Sequence, residues 1–136
     1  EINLWANKTL LDILLKSCSI KQVVAISSGA AVNGNRGWSG YALSKAAFKM
    51  LIQLYAAEAP ETHFASFAPG WVDTNMQDYL CHVENTADFQ SLKRLQSARG
   101  TEAMPSPEQL ALKLPSLFSS LPTMMESGEF IDIRKI

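Results

Sequence analysis

The chain lacks the features that mark several large classes of protein. Only two of its 136 residues are cysteine, Cys18 and Cys81, and neither belongs to a Cys-x-x-Cys pair. That is too few for a disulfide framework, and both read as free thiols. No apolar run approaches the roughly 20 residues that a membrane-spanning helix needs. The stretch from Ala46 to Ile52 is already interrupted by Lys49. An excess of one charge is missing too. Twelve basic residues stand against thirteen acidic ones, scattered along the chain. That leaves no basic stripe for nucleic acid or an anionic membrane, so neither is expected as a partner. The opening Ile2-Asn3-Leu4-Trp5 has no basic n-region, so a signal peptide is not expected and the expected localisation is cytoplasmic. His63 and His82 stand in no metal-ligand spacing, so both read as surface histidines and no metal site is expected. Apolar side chains, by contrast, are plentiful. At 47% hydrophobic residues the chain is no disordered tail, and its length suits one core, hence a single domain over 1–136.

Periodicity divides the chain into alternating elements. Leu4, Leu11, Leu14 and Leu15 recur at helical spacing, which predicts a helix over 3–17. Gln22-Val23-Val24-Ala25-Ile26-Ser27-Ser28 is a β-branched run without alternation, as in a strand buried on both faces. A loop with Gly29, Gly34 and Gly37 follows. The next helix is predicted over 39–59, closed by Pro60, and a second short strand over 63–68, stopped by Pro69-Gly70. From Val72 to Gly100 the chain turns polar, and short helices on a mobile excursion are expected. Ser106-Pro107-Glu108-Gln109 has the residues of a capped helix start, and Pro115 should kink or shorten that helix. Glu129 to Ile133 reads as a last strand. This order predicts an α/β fold with a parallel sheet and helices packed on it. Three strands make a narrow sheet, and the chain opens in a helix, so the architecture looks like the second half of something larger.

The strongest chemical signal is Tyr41-Ala42-Leu43-Ser44-Lys45. Four residues apart on a helix, Tyr41 and Lys45 share a face. An ammonium beside a phenol stabilises the phenolate, which makes a group with an ordinary pKa near 10 usable for proton transfer at neutral pH. Ser28, thirteen residues before Tyr41, falls where a βα loop presents its hydroxyl at the carboxyl edge of the sheet, the edge where open α/β sheets bind ligands. Alone, Tyr-x-x-x-Lys is a weak signal that also fits a solvated lysine beside a half-buried tyrosine. Trp38 and Trp71 read equally well as packing residues or as pocket walls.

Ser28, Tyr41-x-x-x-Lys45 and Pro69-Gly70-Trp71-Val72-Asp73-Thr74 together resemble the short-chain dehydrogenase/reductase family. The wording Ile26-Ser27-Ser28-Gly29-Ala30-Ala31 and Phe67-Ala68-Pro69-Gly70 is most similar to small carbonyl reductases of the benzil and sepiapterin reductase type. The resemblance runs from about residue 2 to residue 133. It implies the C-terminal half of a Rossmann-type doubly wound parallel sheet with flanking helices. It also implies an NAD(P)-dependent oxidoreductase that reduces a carbonyl to an alcohol, or the reverse, on a small-molecule substrate. Tyr41 would be the proton donor, Ser28 the hydrogen-bond partner of the carbonyl oxygen, and Lys45 both the modulator of Tyr41 and a ligand of the nicotinamide ribose. Pro69, Gly70, Trp71, Val72 and Thr74 would hold the nicotinamide carboxamide. Asn3 matches the family's helix asparagine that orders a proton-relay water, although its 25-residue distance from Ser28 is a few residues short.

The family also implies a homodimer or homotetramer formed through the helices near 3–17 and 39–59. The resemblance further implies NADP or NAD as cofactor, with the reductase likeness leaning to NADP. The Gly-x-x-x-Gly-x-Gly turn that cradles the cofactor pyrophosphate is not among these residues, nor is the residue that selects between the two cofactors. The expectation is therefore a fragment of a longer enzyme, inactive on its own. The alternative is a truncated, catalytically silent relative that serves as an interaction module.

Overall fold

The computed structural model describes residues 2–136. The chain begins with a π-helical turn, Ile2–Ala6, that runs into helix α1, Asn7–Ser17. The Asn7 side-chain amide bonds the Ile2 carbonyl at 2.9 Å, five residues back, in keeping with that wider turn. Within α1, Lys8 and Asp12 pair at 2.7 Å across one helical turn, on an exposed flank. The elements that follow are β1 (Gln22–Ile26), α2 (Ser39–Glu58), β2 (His63–Ala68), α3 (Asn75–Cys81), α4 (Gln90–Ala98), α5 (Pro107–Ala111), α6 (Leu114–Met124) and β3 (Phe130–Asp132). Short 3-10 turns follow β1 at Gly29–Ala31 and β3 at Ile133–Lys135.

The three strands form one parallel sheet in the order β1-β2-β3. Val24 stands opposite Ala65, and Phe67 opposite Ile131, which puts all three carboxyl ends at one edge. The central strand β2 is buried from Phe64 to Ala68, as its lack of alternation requires. On one face, α1 and α2 pack Leu11, Phe48, Leu51, Ile52 and Tyr55 against Ala25 and Phe64. On the other face α6 lies over β2, with Phe118 edge-on to Phe67 at 5.2 Å and Leu121 fully buried. Ile52, Phe64, Phe67 and Leu121 are all 0% exposed, and each contributes about 1.5–3 kcal/mol by leaving water.

Three sequence expectations are corrected here. The segment from Val72 to Gly100 is no loose excursion. Its α3 and α4 build a second core, in which Leu92, Leu95, Ala98 and Met104 pack with Trp38, Trp71, Leu80 and Phe89. Leu92 and Leu95 fall on one side of α4, so nine residues with few apolar positions still bury a stripe. β1 is not buried on both faces, since it lies at the edge of the sheet and only Ala25 is buried. The helix from Pro107, by contrast, is short as expected, ending at Ala111 with Pro115 in the first turn of α6. His63 is half-buried rather than a free surface residue. Its Nε2 lies 3.2 Å from the Met125 carbonyl, and its Nδ1 is enclosed without a partner. The capping box at Ser106 forms as expected, with Ser106 Oγ accepting from the Gln109 N–H and Gln109 Oε1 accepting from the Ser106 N–H.

Candidate active site

The sheet's carboxyl edge opens into a cavity of about 940 Å³. Its floor is the ends of β1 and β2 and the loops that leave them, and one wall is the first turns of α2. The rest is α3, α4, the two tryptophans, Pro107 and Leu110 of α5, Leu114 of α6, and Arg134. Ser28, Tyr41, Lys45, Pro69, Gly70, Trp71, Val72 and Thr74 all line it, drawn from three separate stretches of chain.

Each side chain has a local reason for its place. Ser28 caps the 3-10 turn after β1, and its Oγ accepts from the Ala30 N–H at 3.2 Å. One lone pair is thereby committed, and the hydroxyl proton stays available to an oxygen in the cavity. Tyr41 lies in the first turn of α2, edge-on to Trp38 with ring centroids 6.1 Å apart. Trp38 is fixed from the other side, its indole N–H donating to Ser91 Oγ at 2.8 Å. Lys45 follows one turn later, with its Nζ 6.0 Å from the Tyr41 ring centroid and 5.8 Å from that of Phe48. The ammonium donates to the Ile26 carbonyl at 3.0 Å. Burial holds the Lys45 pKa below the ordinary lysine value, because part of the charge's hydration is lost. Gly70, at φ +74, turns the chain after Pro69 with a left-handed backbone that a side chain would strain.

Asn3 does not line this cavity. Its amide donates to Ser44 Oγ at 3.1 Å, and Ser44 in turn donates to the Tyr41 carbonyl at 2.7 Å. It therefore braces the turn of α2 that carries Tyr41 and Lys45. Among the described residues no group of three or more His, Cys, Asp or Glu could hold a metal ion, and no helix is long and apolar enough to cross a membrane.

The structure also brings in residues that sequence reasoning passed over. Met76, Gln77 and Leu80 of α3 and Arg94 of α4 close the outer wall. Arg99 pairs with Asp78 at 2.6 Å and Asp73 at 3.6 Å, binding α3 and the loop before Thr74 to the end of α4 and holding Asp78 below the usual carboxylate range. At the end of β3, Arg134 makes a two-pronged pair with Asp132 at 2.8 and 2.5 Å, and its guanidinium lies 5.5 Å from the Trp71 ring centroid. An Asp-x-Arg directly after an apolar strand was the one available signal for this pair.

With this geometry, the chain falls in one class: it belongs to the short chain dehydrogenase family, whose model matches residues 4–85. Within that family it is 34% identical to benzil reductase ((S)-benzoin forming) of Bacillus subtilis over 143 residues, covering 99% of this chain and 57% of that protein. It is 36% identical to sepiapterin reductase of Rattus norvegicus over 116 residues, covering 85% of this chain and 43% of that protein. The chain thus spans about half the length of these relatives. Among solved structures, the KRED1-Pglu enzyme superposes with a TM-score of 0.80 at 28% identity, over 95% of this chain and 55% of that one.

Proposed function

We propose that this chain is the catalytic half of an NAD(P)-dependent reductase that converts a carbonyl to an alcohol, or runs the reverse oxidation. The observation that carries the reading is the meeting of Ser28, Tyr41, Lys45 and the Pro69–Thr74 loop on one cavity at the sheet's carboxyl edge. Those residues fit the nicotinamide end of the cofactor. The left-handed turn at Gly70 directs the backbone from Pro69 to Thr74 along the cavity, and the Lys45 ammonium lines it beside Tyr41. Bound there, the reduced nicotinamide supplies a hydride. The Tyr41 hydroxyl gives its proton to the carbonyl oxygen, and the Ser28 hydroxyl donates a hydrogen bond to the same atom as negative charge builds on it. Lys45 stabilises the phenolate left behind and holds the ribose hydroxyls. Asn3, acting through Ser44, is given the positioning of that helical turn rather than the ordering of a relay water in the cavity. NADP is favoured over NAD by the likeness to the reductases named above. Trp38 and Trp71 give the substrate side an aromatic lining suited to a small apolar carbonyl compound.

The remainder of the domain pairs along the free edge of β1. There Ile26 and Val32 stand about half exposed, an apolar border that a further strand and loop would cover. The test uses the natural full-length protein with an aromatic diketone and reduced nicotinamide, followed by the loss of cofactor absorbance. The expected result is turnover that Tyr41→Phe lowers by about three orders of magnitude or more, with cofactor affinity kept. A Tyr41→Phe variant retaining over about a tenth of the activity overturns the assignment. A full-length protein with no turnover on any carbonyl tried would favour the silent interaction module.

A further inference from the structure

Arg134 occupies an unusual place at the carboxyl edge. Its partner Asp132 is the last residue of β3 and is only 4% exposed, a buried carboxylate neutralised by the two-pronged pair. Asp132 Oδ1 also accepts the Arg134 backbone N–H at 3.0 Å, so the side chain folds back in one defined direction. That direction runs across the ends of the other two strands. A β-carbon placed on Gly29, just past Ser28, would lie 3.1 Å from Arg134 Nη2, and one placed on Gly70 would lie 3.5 Å from its Cγ and Cδ. The guanidinium also faces the Trp71 ring. One side chain thus fills the gap between the loop that carries Ser28 and the loop from Pro69 to Thr74, and lines the cavity itself.

We infer that Arg134, locked by Asp132, is a positioning residue that sets the separation of these two loops and so aligns the Ser28 hydroxyl with the ring held by the Pro69–Thr74 loop. This inference rests on the reductase reading above. The two loops come from different strands, and no backbone hydrogen bond joins them directly among the described residues. A planar fork suits the task, because it can bond a carboxylate at two points while its flat face stacks on an indole. Lysine can do neither at once.

The experiment measures kcat, carbonyl KM, cofactor affinity by the fluorescence of reduced nicotinamide, and melting temperature in the full-length protein. The variants are Arg134→Met, Arg134→Lys, Gly29→Ala and the double variant that combines Gly29→Ala with Arg134→Met. Both single Arg134 variants should lose about tenfold or more in kcat and weaken cofactor binding, with lysine giving no rescue. Gly29→Ala should cost a smaller factor in the wild type, about fivefold, since its methyl group pushes the guanidinium by a few tenths of an ångström, yet nothing measurable in the Arg134→Met background. A purely structural role would give matching losses in melting temperature without that kinetic coupling. Should Arg134→Met not fold, Gly29→Ala and Arg134→Lys carry the same reading. Retention of kcat and cofactor affinity within about twofold in an active enzyme overturns the clamp alone, as does an equal Gly29→Ala cost in both backgrounds. Absence of any nicotinamide-dependent turnover in the wild type overturns the reductase reading, and the clamp with it.

Discussion

The Lys45 ammonium bonds the Ile26 carbonyl at the very end of β1, two residues before Ser28. A single hydrogen bond thereby ties the helix that carries Tyr41 to the strand that delivers Ser28. Lys45 holds the geometry of the site and supplies its charge from one atom.

Replacing that atom separates chemistry from stability. Burial depresses the Lys45 pKa, so at neutral pH the fold bears the cost of a partly dehydrated ammonium; that cost fades as pH rises through the lowered folded value and is gone above the unfolded lysine value near 10.4. Lys45→Met removes this cost along with one hydrogen bond worth about 1 kcal/mol. The expected outcome is a melting temperature within a few degrees of wild type, with kcat/KM for carbonyl reduction lowered at least about a hundredfold. A large fall in melting temperature with kinetics intact would contradict both roles.

Asp132 gives the fold an acid-sensitive element. Arg134 holds its carboxyl below the usual range, so its contribution is fully present above the unfolded-state pKa near 4 and is lost as pH falls through the lower folded value. Asp132→Asn should cost about 1–3 kcal/mol at pH 7, by weakening the pair around a buried side chain. Urea unfolding of both proteins at a series of pH values should show that difference shrinking between pH 5 and pH 2. A difference independent of pH would mean that the carboxylate charge contributes nothing.

Gly128, at φ +91, turns the chain into β3, and its N–H bonds the Phe64 carbonyl at 2.8 Å. A β-carbon there would approach that of Ala56 on α2 to 3.0 Å. Gly128→Ala should therefore destabilise by about 1–3 kcal/mol, part backbone strain and part crowding. Adding Ala56→Gly should relieve only the crowding while costing about 1 kcal/mol of its own in the helix, so a double-variant loss smaller than the sum of the two single losses in denaturant melts is the expected signature.

Association is the last expectation. The interior of the helix pair is closed, since Phe48, Leu51 and Tyr55 are buried, and a charge at any of them would unfold the chain before it could report on assembly. The face left open carries Leu43 at 70% exposure, with Met50 and Leu54 of α2 and Leu10 and Ile13 of α1 more than half exposed. A two-fold contact through this face should give a dimer or tetramer. Leu54→Glu should then yield a folded monomer by light scattering at tens of micromolar. A monomeric wild type would refute the interface.

How much of this was legible beforehand depended on the kind of signal. Phe64 to Ala68 announced a strand buried on both faces because only Ser66 interrupts it, and Ser106-Pro107 announced a helix start through its own capping chemistry; Val23 to Ile26 read the same way as the strand, yet it lies at an edge with only Ala25 buried. Ser28, Tyr41 and Lys45 could be grouped because local spacing and the Pro69-Gly70 turn converge on one edge. Leu92, Leu95 and Met104 could not be placed as a core. Their partners Trp38 and Trp71 lie far away in sequence, and composition alone does not reveal a tertiary partner. Arg134 escaped notice for the same reason, since its meaning comes from Gly29 and Gly70.

The two cores divide the molecule's freedom to change. One, around Ile52 and Phe64, holds the sheet and the helix pair; the other, around Leu95 and Met104, holds α3 and α4 over the cavity. Met76, Leu80 and Arg94 face the cavity from the second unit, whereas Tyr41 and Lys45 ride on a helix seated in the first. Mutations that reshape the outer wall therefore reach Tyr41 and Lys45 only through Trp38, which joins the second core to the Tyr41 ring. The segment from Thr74 to Met104 is thus the part of the cavity wall that can be exchanged with least effect on the sheet, provided that Ser91 stays to hold the Trp38 indole in place.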